Sequence, residues 1–500
     1  MKTYRRLLLA CLLLAPVVSG CFAPAGGAGA SSAGSPDGGR LRVALAFPPA
    51  QNFSPYGQDG YLLSRLGVAE GLTRLAADGT AAPALAESWN AEHGGREWLF
   101  TLRDAKFQDG GPVTAAAVVS ALTRAAQAKP VPPALAGVRL TAVAVGGRQV
   151  RVGTEPADPV LPLRLSNPAL AMFSPKAYEK QGTVNLLGTA TGPFVLKENT
   201  GTTTATLDRF DGYWGGRARS PGIDVKFVGD GTARANALRT GQADIVEALP
   251  VAQLASLDKQ LIQVKAAPRN TVLYLNTKSG VFADPGLRAA ARETIDTSVL
   301  AKNVYEGNAE PGQGIFGPAL TWAAGKRVPP QGRAKAVNPA GAAITIATHG
   351  SRPELPEVAQ VLHQQLEKAG FTVKLAVLDP ARLDSDALAG KFDAVISSRN
   401  VLLDTGDPVS ILASDFTCAG SYNLAKVCDQ RVDEAVAGAE QTAEAGRRQD
   451  AVMAAEAAVL ATDAVLPLVH LKVAVGIGPS VRGTVPDPYE RAMVGTGTHR

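Results

Sequence analysis

The chain has 500 residues, 46% of them hydrophobic, and a formal charge of +5. That length exceeds one small core and predicts two or three domains. The slight charge, with no Lys- or Arg-rich block, excludes an electrostatic nucleic-acid binder. The five histidines (His93, His349, His363, His470, His499) show no HxH or HExxH spacing and supply no metal motif.

The first element is a leader. Lys2, Arg5 and Arg6 precede an apolar run, Leu7 to Val18, that is too short to stay in a bilayer as a helix. A basic start, an apolar middle and small residues after it are the layout of a secretory signal over residues 1–20. Without those three cations the remainder carries +2. Val18-Ser19-Gly20-Cys21 resembles the lipobox of bacterial lipoproteins, which implies cleavage before Cys21 and a lipid on its sulfur. An ordinary signal with an incidental cysteine is the alternative. Two or three acyl chains, at roughly 0.8 kcal/mol per buried methylene, hold a domain firmly on a membrane surface. Residues 21–40, rich in Gly, Ala and Ser, cannot bury a core and are predicted to be a disordered tether. No later stretch reaches eighteen uninterrupted apolar residues, so no transmembrane helix is predicted.

Ordered sequence begins near Leu41. Leu41 to Ala46 reads as a strand. Asp78-Gly79 signals a hairpin between Leu75 and Leu85, and Trp98 to Leu102 reads as a further strand. Ala116 to Ala128 is predicted helical. Ala342 to Thr348 reads as a strand, then a helix with Val358, Val361, Leu362 and Leu366 on one face, then a strand at Thr372 to Val377. This β-α-β unit predicts a parallel sheet with a right-handed crossover. Arg431 to Ala464 reads as one or two Ala-rich helices. Strands alternating with helices throughout predict an α/β fold.

Of four cysteines, Cys11 leaves with the leader and Cys21 is the lipid site. Cys418 and Cys428 remain. An exported chain usually pairs such a couple, with two free thiols as the alternative.

Several motifs stand in a telling order: Glu70-Gly71-Leu72, the Asp78-Gly79 turn, Pro83 to Trp89 (PALAESW), Phe100 to Arg103 (FTLR), and Phe107 with Asp109-Gly110. Thr191-Gly192-Pro193-Phe194, Tyr213-Trp214-Gly215-Gly216, Ala237 to Ile245 and Leu273 to Thr277 follow. Together they resemble the extracellular solute-binding proteins of peptide and nickel ABC importers, over roughly Leu41 to Ile477. The resemblance implies a two-lobed periplasmic-binding-protein-like fold of type II, with a hinge and an extra domain on the first lobe. Mapped here, lobe I is 41–270, with the extra domain at about 76–189. Lobe II is 271–470, and 471–500 returns to lobe I. The chain would cross near Thr271 to Asn276 and return near Leu466 to Val475. Peptide-binding members often carry a Trp before their pocket aspartate; this chain has Val401-Leu402-Leu403 there, which implies a different pocket wall.

The resemblance also implies ligand contacts. Asp404-Thr405-Gly406-Asp407-Pro408 is similar to the D-x-G-D-P element whose first aspartate holds a peptide ammonium group. Ser351-Arg352-Pro353 is similar to the element whose arginine clamps the carboxylate. Cys418 and Cys428 resemble the disulfide loop that follows. A short peptide is a zwitterion, and its burial demands a carboxylate at one end and a guanidinium fork at the other. Read without the resemblance, Asp404 is a turn former and Arg352 a surface residue. Asn52 and Tyr56, in the loop after the first strand, sit where such sheets face ligands.

The implied function is a lipid-anchored, monomeric receptor on the outer face of the membrane. It takes di- to oligopeptides, works with an ABC permease and ATPase, and needs no cofactor. A nickel chelate or another small polar solute is the alternative within the family. An enzyme reading is weaker. Ser256-Leu257-Asp258-Lys259, Ser421-Tyr422-Asn423 and Lys278-Ser279-Gly280 match elements of penicillin-binding enzymes, but the third lies 22 residues after the first instead of last. Gly312 to Gly317 matches GxGxxG, yet Pro311 and Pro318 flank it and it opens no helix, so it reads as a loop.

Overall fold

The computed structural model describes residues 38–500 except 50, 58, 130, 136, 181, 182, 351, 353, 403, 404 and 486. The leader, Cys21, most of the tether and Asp404 lie outside the described residues.

In chain order the strands are β1 Leu41–Leu45, β2 Thr73–Leu75, β3 Ala81–Pro83, β4 Ala86–Glu92, β5 Glu97–Leu102, β6 Arg139–Ala144 and β7 Gln149–Glu155. Next come β8 Phe194–Thr200, β9 Thr204–Arg209, β10 Gly222–Phe227, β11 Ile245–Val246 and β12 Ile262–Leu275. Last are β13 Ala309–Pro311, β14 Ala343–His349, β15 Thr372–Leu378, β16 Ala394–Asn400 and β17 Val465–Ile477. One sheet runs β15-β14-β16-β12-β17-β11-β1-β10-β9-β8, with β13 on β17. A separate sheet, β4-β5-β7-β6, forms the extra domain on the first lobe, covered by the helix Ala115–Gln127. The expected strand at Trp98, the hairpin at Gly79 and the parallel β14–β15 pair are all present. The Ala-rich stretch is two helices, Gln430–Gln441 and Ala445–Ala461. Among the described residues no helix is long and apolar enough to cross a membrane.

Alternation explains the layering. Along β12, Val272 and Tyr274 enter one buried cluster while Leu273 and Leu275 enter the cluster on the opposite face. Successive side chains of a strand point to opposite faces, so a run apolar at every position needs cover on both sides. Helices Gln430–Gln441 and Ala445–Ala461 cover one face, and Glu354–Lys368 with Pro285–Thr294 the other.

β12 and β17 are the longest strands, 14 and 13 residues, and pair antiparallel between the lobes. Their register shifts between Ala266 and Asn270, a bulge that holds Ala267, Pro268 and Arg269. The pairing fixes where each sheet opens. β11 is parallel to β1 and antiparallel to the end of β17, with Ile245 beside Ile477 and Val246 beside Gly476. β1 therefore runs toward the second lobe. β16 is antiparallel to β12, with Leu275 beside Ala394 and Arg269 beside Asn400, and β14 is parallel to β16. The carboxyl ends of both parallel sets consequently face each other across the hinge, the usual ligand position in open α/β sheets.

The ordered motifs are a structural knot within the first lobe. The Glu70 carboxylate accepts from the Tyr213 hydroxyl (2.7 Å) and Trp214 Nε1 (3.1 Å). The Arg103 guanidinium lies 3.7 Å over the Trp214 ring and donates to the Ala84 carbonyl. Gln108 Nε2 donates to the carbonyls of Val68, Gly192 and Phe194 at 2.9–3.2 Å. Burial pushes Glu70 up to about 7, eased by the Tyr213, Trp214 and Thr191 bonds and the Arg103 charge. Between about 4.5 and 7 the folded state then holds a proton that the unfolded chain has released, so stability falls as pH rises through that window. Relative to Glu70→Gln, wild type is expected to lose about 1–3 kcal/mol between pH 5 and pH 8. Urea unfolding of both proteins at the two pH values measures this, and parallel curves would remove Glu70 as the cause.

Candidate functional site

The first wall is built by the loop after β1. Asn52 and Phe53 both take positive φ, 51° and 61°. For Phe53 this costs about 1–3 kcal/mol. The Asp59 carboxylate accepts from the backbone N–H of Gln51 and Phe53, both at 2.8 Å. The Phe53 ring is fully buried against Phe227. Burying a phenylalanine contributes about 1.5–3 kcal/mol, which offsets the strain. The loop so held brings Asn52 and Tyr56 to the rim of a cavity of about 550 Å³ in the first lobe.

The second wall follows β14 and β16. Arg352 is half-buried and has no ion-pair partner among the described residues. Burial, with the Arg352 charge added to it, holds His349 at the end of β14 below the ordinary histidine range. Arg269 projects from the hinge bulge, and its nearest acid is Glu490 at 3.8 Å. Burial disfavours its charge; Glu490 favours it, and Arg352, Arg65 and Arg399 oppose it. Arg399 ends β16 and is committed, donating both Nε and Nη2 to Asp415 at 3.0 Å. Its guanidinium lies 4.0 Å from the Tyr422 ring, whose hydroxyl donates to Asp384 at 2.7 Å.

Tyr422 is presented by the loop that the Cys418–Cys428 disulfide closes. Within it the Asn423 amide donates to the carbonyls of Thr417 (2.9 Å) and Val427 (2.6 Å). Closing a loop of about eleven residues contributes roughly 3 kcal/mol in the chain-entropy model. Replacing both cysteines by serine is expected to lower unfolding free energy by about 2–3 kcal/mol in guanidinium titrations. A change below about 0.5 kcal/mol would show that the Asn423 bonds alone hold the loop.

In the D-T-G-D-P turn, Asp404 lies outside the described residues. Asp407 is buried and ion-paired with Arg448, so the second aspartate is structural. Gly406 takes φ 76°, and a Cβ there would stand 3.4–3.5 Å from Arg491, Leu163 and Leu75 of the first lobe. The turn thus docks one lobe on the other. Beside it lies a cavity of about 270 Å³ lined from both lobes. Trp89, Trp98 and Leu163 come from the first lobe, Trp322, Leu402 and Val452 from the second. Three of the four tryptophans thus line this cavity, two from the β4–β5 hairpin and one from the second lobe.

The structure brings Arg352 close to Arg269, and Asn52 and Tyr56 together on the rim of a cavity in the first lobe. Arg269 and Arg399 escaped sequence reading, although Arg399 is the lone charge near the end of an apolar strand and Arg269 directly precedes the apolar half of β12, which was the available signal. The Gly312–Gly317 segment is a packed loop: Phe316 N–H donates to the buried Glu456 carboxylate at 2.9 Å, and a Cβ on Gly317 would strike the His470 ring. Among the described residues, the only His/Cys/Asp/Glu trio close enough to share a metal ion is Glu92, His93 and Glu97, on the exposed β4–β5 hairpin.

Two α/β lobes, joined by a pair of long strands and open to each other at their carboxyl ends, define a periplasmic-binding-protein fold of type II. The chain belongs to the bacterial extracellular solute-binding proteins, family 5 (middle region), whose profile matches residues 80–423. It is 28% identical over 339 residues to the glutathione-binding protein GsiB of Salmonella typhi, covering 62% of this chain and 64% of that one. It thus spans just under two thirds of that relative's length. It is 24% identical over 340 residues to the nickel-binding protein NikA of Staphylococcus aureus, covering 66% and 68%. The fold is similar to the crystal structure of a nickel ABC transporter from Bacillus halodurans, with TM-score 0.76 and 24% identity over 92% of this chain and 99% of that one.

Proposed function

We propose that this protein is the solute-binding component of an ABC importer and captures short peptides of two to four residues for a permease and its ATPase. One observation carries the reading: an apolar cavity lined from both lobes lies beside the D-T-G-D-P turn, and the second lobe also carries the uncommitted Arg352. The cavity suits a side chain. Arg352 suits the peptide carboxylate, and Asp404 the ammonium group. Lobe closure excludes water, strengthens these bonds and creates the shape a permease recognises. The reading assigns the protein no catalytic step. A nickel chelate is the second reading, favoured by the nickel-binding relative and by His349 at the end of β14.

Calorimetric titration with di- and tripeptides, nickel and nickel–histidine tests this, alongside small-angle scattering. Peptide binding with a fall in radius of gyration is expected. Turnover of any solute, or no shape change with all of them, would sink the proposal. We further propose that the mature protein is monomeric, exported and held on the outer face of the cell membrane through a lipid on Cys21. Labelled palmitate is expected to enter wild type and not Cys21→Ser; equal labelling would refute the anchor.

A further inference from the structure

The peptide reading leaves the wall built by the β1 loop without a role. Its cavity of about 550 Å³ is rimmed by Arg124, Lys129 and Lys180, with no carboxylate among the lining residues. None of the three cations has an ion-pair partner among the described residues; Arg124 instead stands 5.8 Å from the centroid of the Tyr178 ring. The hydroxyls of Tyr56 and Tyr178 are both buried, and neither makes a hydrogen bond of acceptable geometry. They neighbour each other, and Arg124 lies close to both. Two phenols facing one another can share one proton, so at least one O–H remains a donor without an acceptor. Such a group carries an unrecovered desolvation cost until an acceptor reaches it. The helix Ala115–Gln127 ends here, and a helix carboxyl end attracts cations by itself. That accounts for Arg124 and Lys129 but not for Lys180 or the buried hydroxyls.

Resting on the peptide reading above, we propose that this cavity receives a side-chain carboxylate of the solute, so that the preferred cargo is an acidic peptide. Guanidinium and phenol donors together suit a planar carboxylate, which takes bonds on both oxygens. The Asn52 and Ser54 side chains, also on the rim, complete a polar and acid-free surface. A neutral side chain would leave the donors unmet, and the penalty for that sets the discrimination.

The test uses the mature chain and matched tripeptides that differ only in Glu or Gln at each of the three positions in an Ala background. Titration calorimetry is expected to show at least tenfold tighter binding of one Glu peptide than of its Gln counterpart, a gap that narrows in 0.5 M salt. Arg124→Gln, an exposed position that leaves the fold intact, is expected to erase that gap while keeping affinity for the Gln peptide within threefold. Tyr56→Phe should narrow the gap in the same way. Equal affinity of wild type for every Glu and Gln pair overturns the proposal and leaves peptide capture standing. An equal loss for both peptides in Arg124→Gln overturns it too. Binding of none of the peptides removes the peptide reading and this proposal with it.

Discussion

Arg448→Met is expected to lower the free energy of unfolding by about 3–5 kcal/mol, the range for breaking a buried ion pair from one side. The side chains of Arg448 and Asp407 are 10% and 9% exposed, so the stranded Asp407 carboxylate cannot recover water without moving. Arg448 does more than neutralise Asp407. Its Nη1 donates to the carbonyls of Ala439 (2.6 Å), Glu440 (3.1 Å) and Thr442 (2.7 Å), which end the helix Gln430–Gln441. One guanidinium therefore ties that helix end to the D-T-G-D-P turn, and methionine fills the volume while supplying none of the donors. Replacing both partners, Arg448→Met with Asp407→Leu, should recover part of the loss, because no unpaired charge then remains. Urea unfolding of the two variants settles the matter. A loss below about 1 kcal/mol in the single variant would mean that water reaches Asp407 and the pair does not hold the turn.

The second large effect concerns binding. Arg352→Ala is expected to weaken peptide affinity by about 10- to 100-fold, since a charge-assisted bond to a buried carboxylate contributes about 1.5–3 kcal/mol. Asp404→Ala, or acetylation of the peptide amine, is expected to weaken it at least tenfold, about 1.4 kcal/mol. Stability separates this from misfolding. Arg352 adds to the positive charge around Arg269, so its removal should leave unfolding unchanged or raise its midpoint slightly. Affinity that survives Arg352→Ala would move the carboxylate clamp to Arg269, whose ion pair with Glu490 is long, at 3.8 Å. The two variants then form a double-mutant cycle with the blocked peptide, in which the ammonium and carboxylate ends report independently.

Much of this protein was legible as a string. Glu70, Ala84, Arg103, Tyr213 and Trp214 stand in an order that betrays the family, and their convergence on one knot explains why such elements occur together: each completes a hydrogen bond or ring contact of another. The β-α-β unit from Ala343 to Leu378 followed from apolar spacing alone, because strand and helix periods differ and a buried face has to be apolar. The pairing of Cys418 with Cys428 was likewise visible, in their spacing and in the resemblance.

The cleft was not. Trp89, Trp98 and Trp322 looked scarce and scattered, yet they share one cavity because the hinge folds lobes hundreds of residues apart onto each other. The resemblance singled out Asp404 and was silent on Asp407, which proved to belong to Arg448, a partner 41 positions away. Arg399, which the sequence did not single out, is held by Asp415. Local sequence specifies elements because their periodicity is a property of neighbouring residues. Which charge is spent on the fold and which is left for a solute depends on burial and on distant partners, and these exist only once the two lobes have closed around the hinge strands.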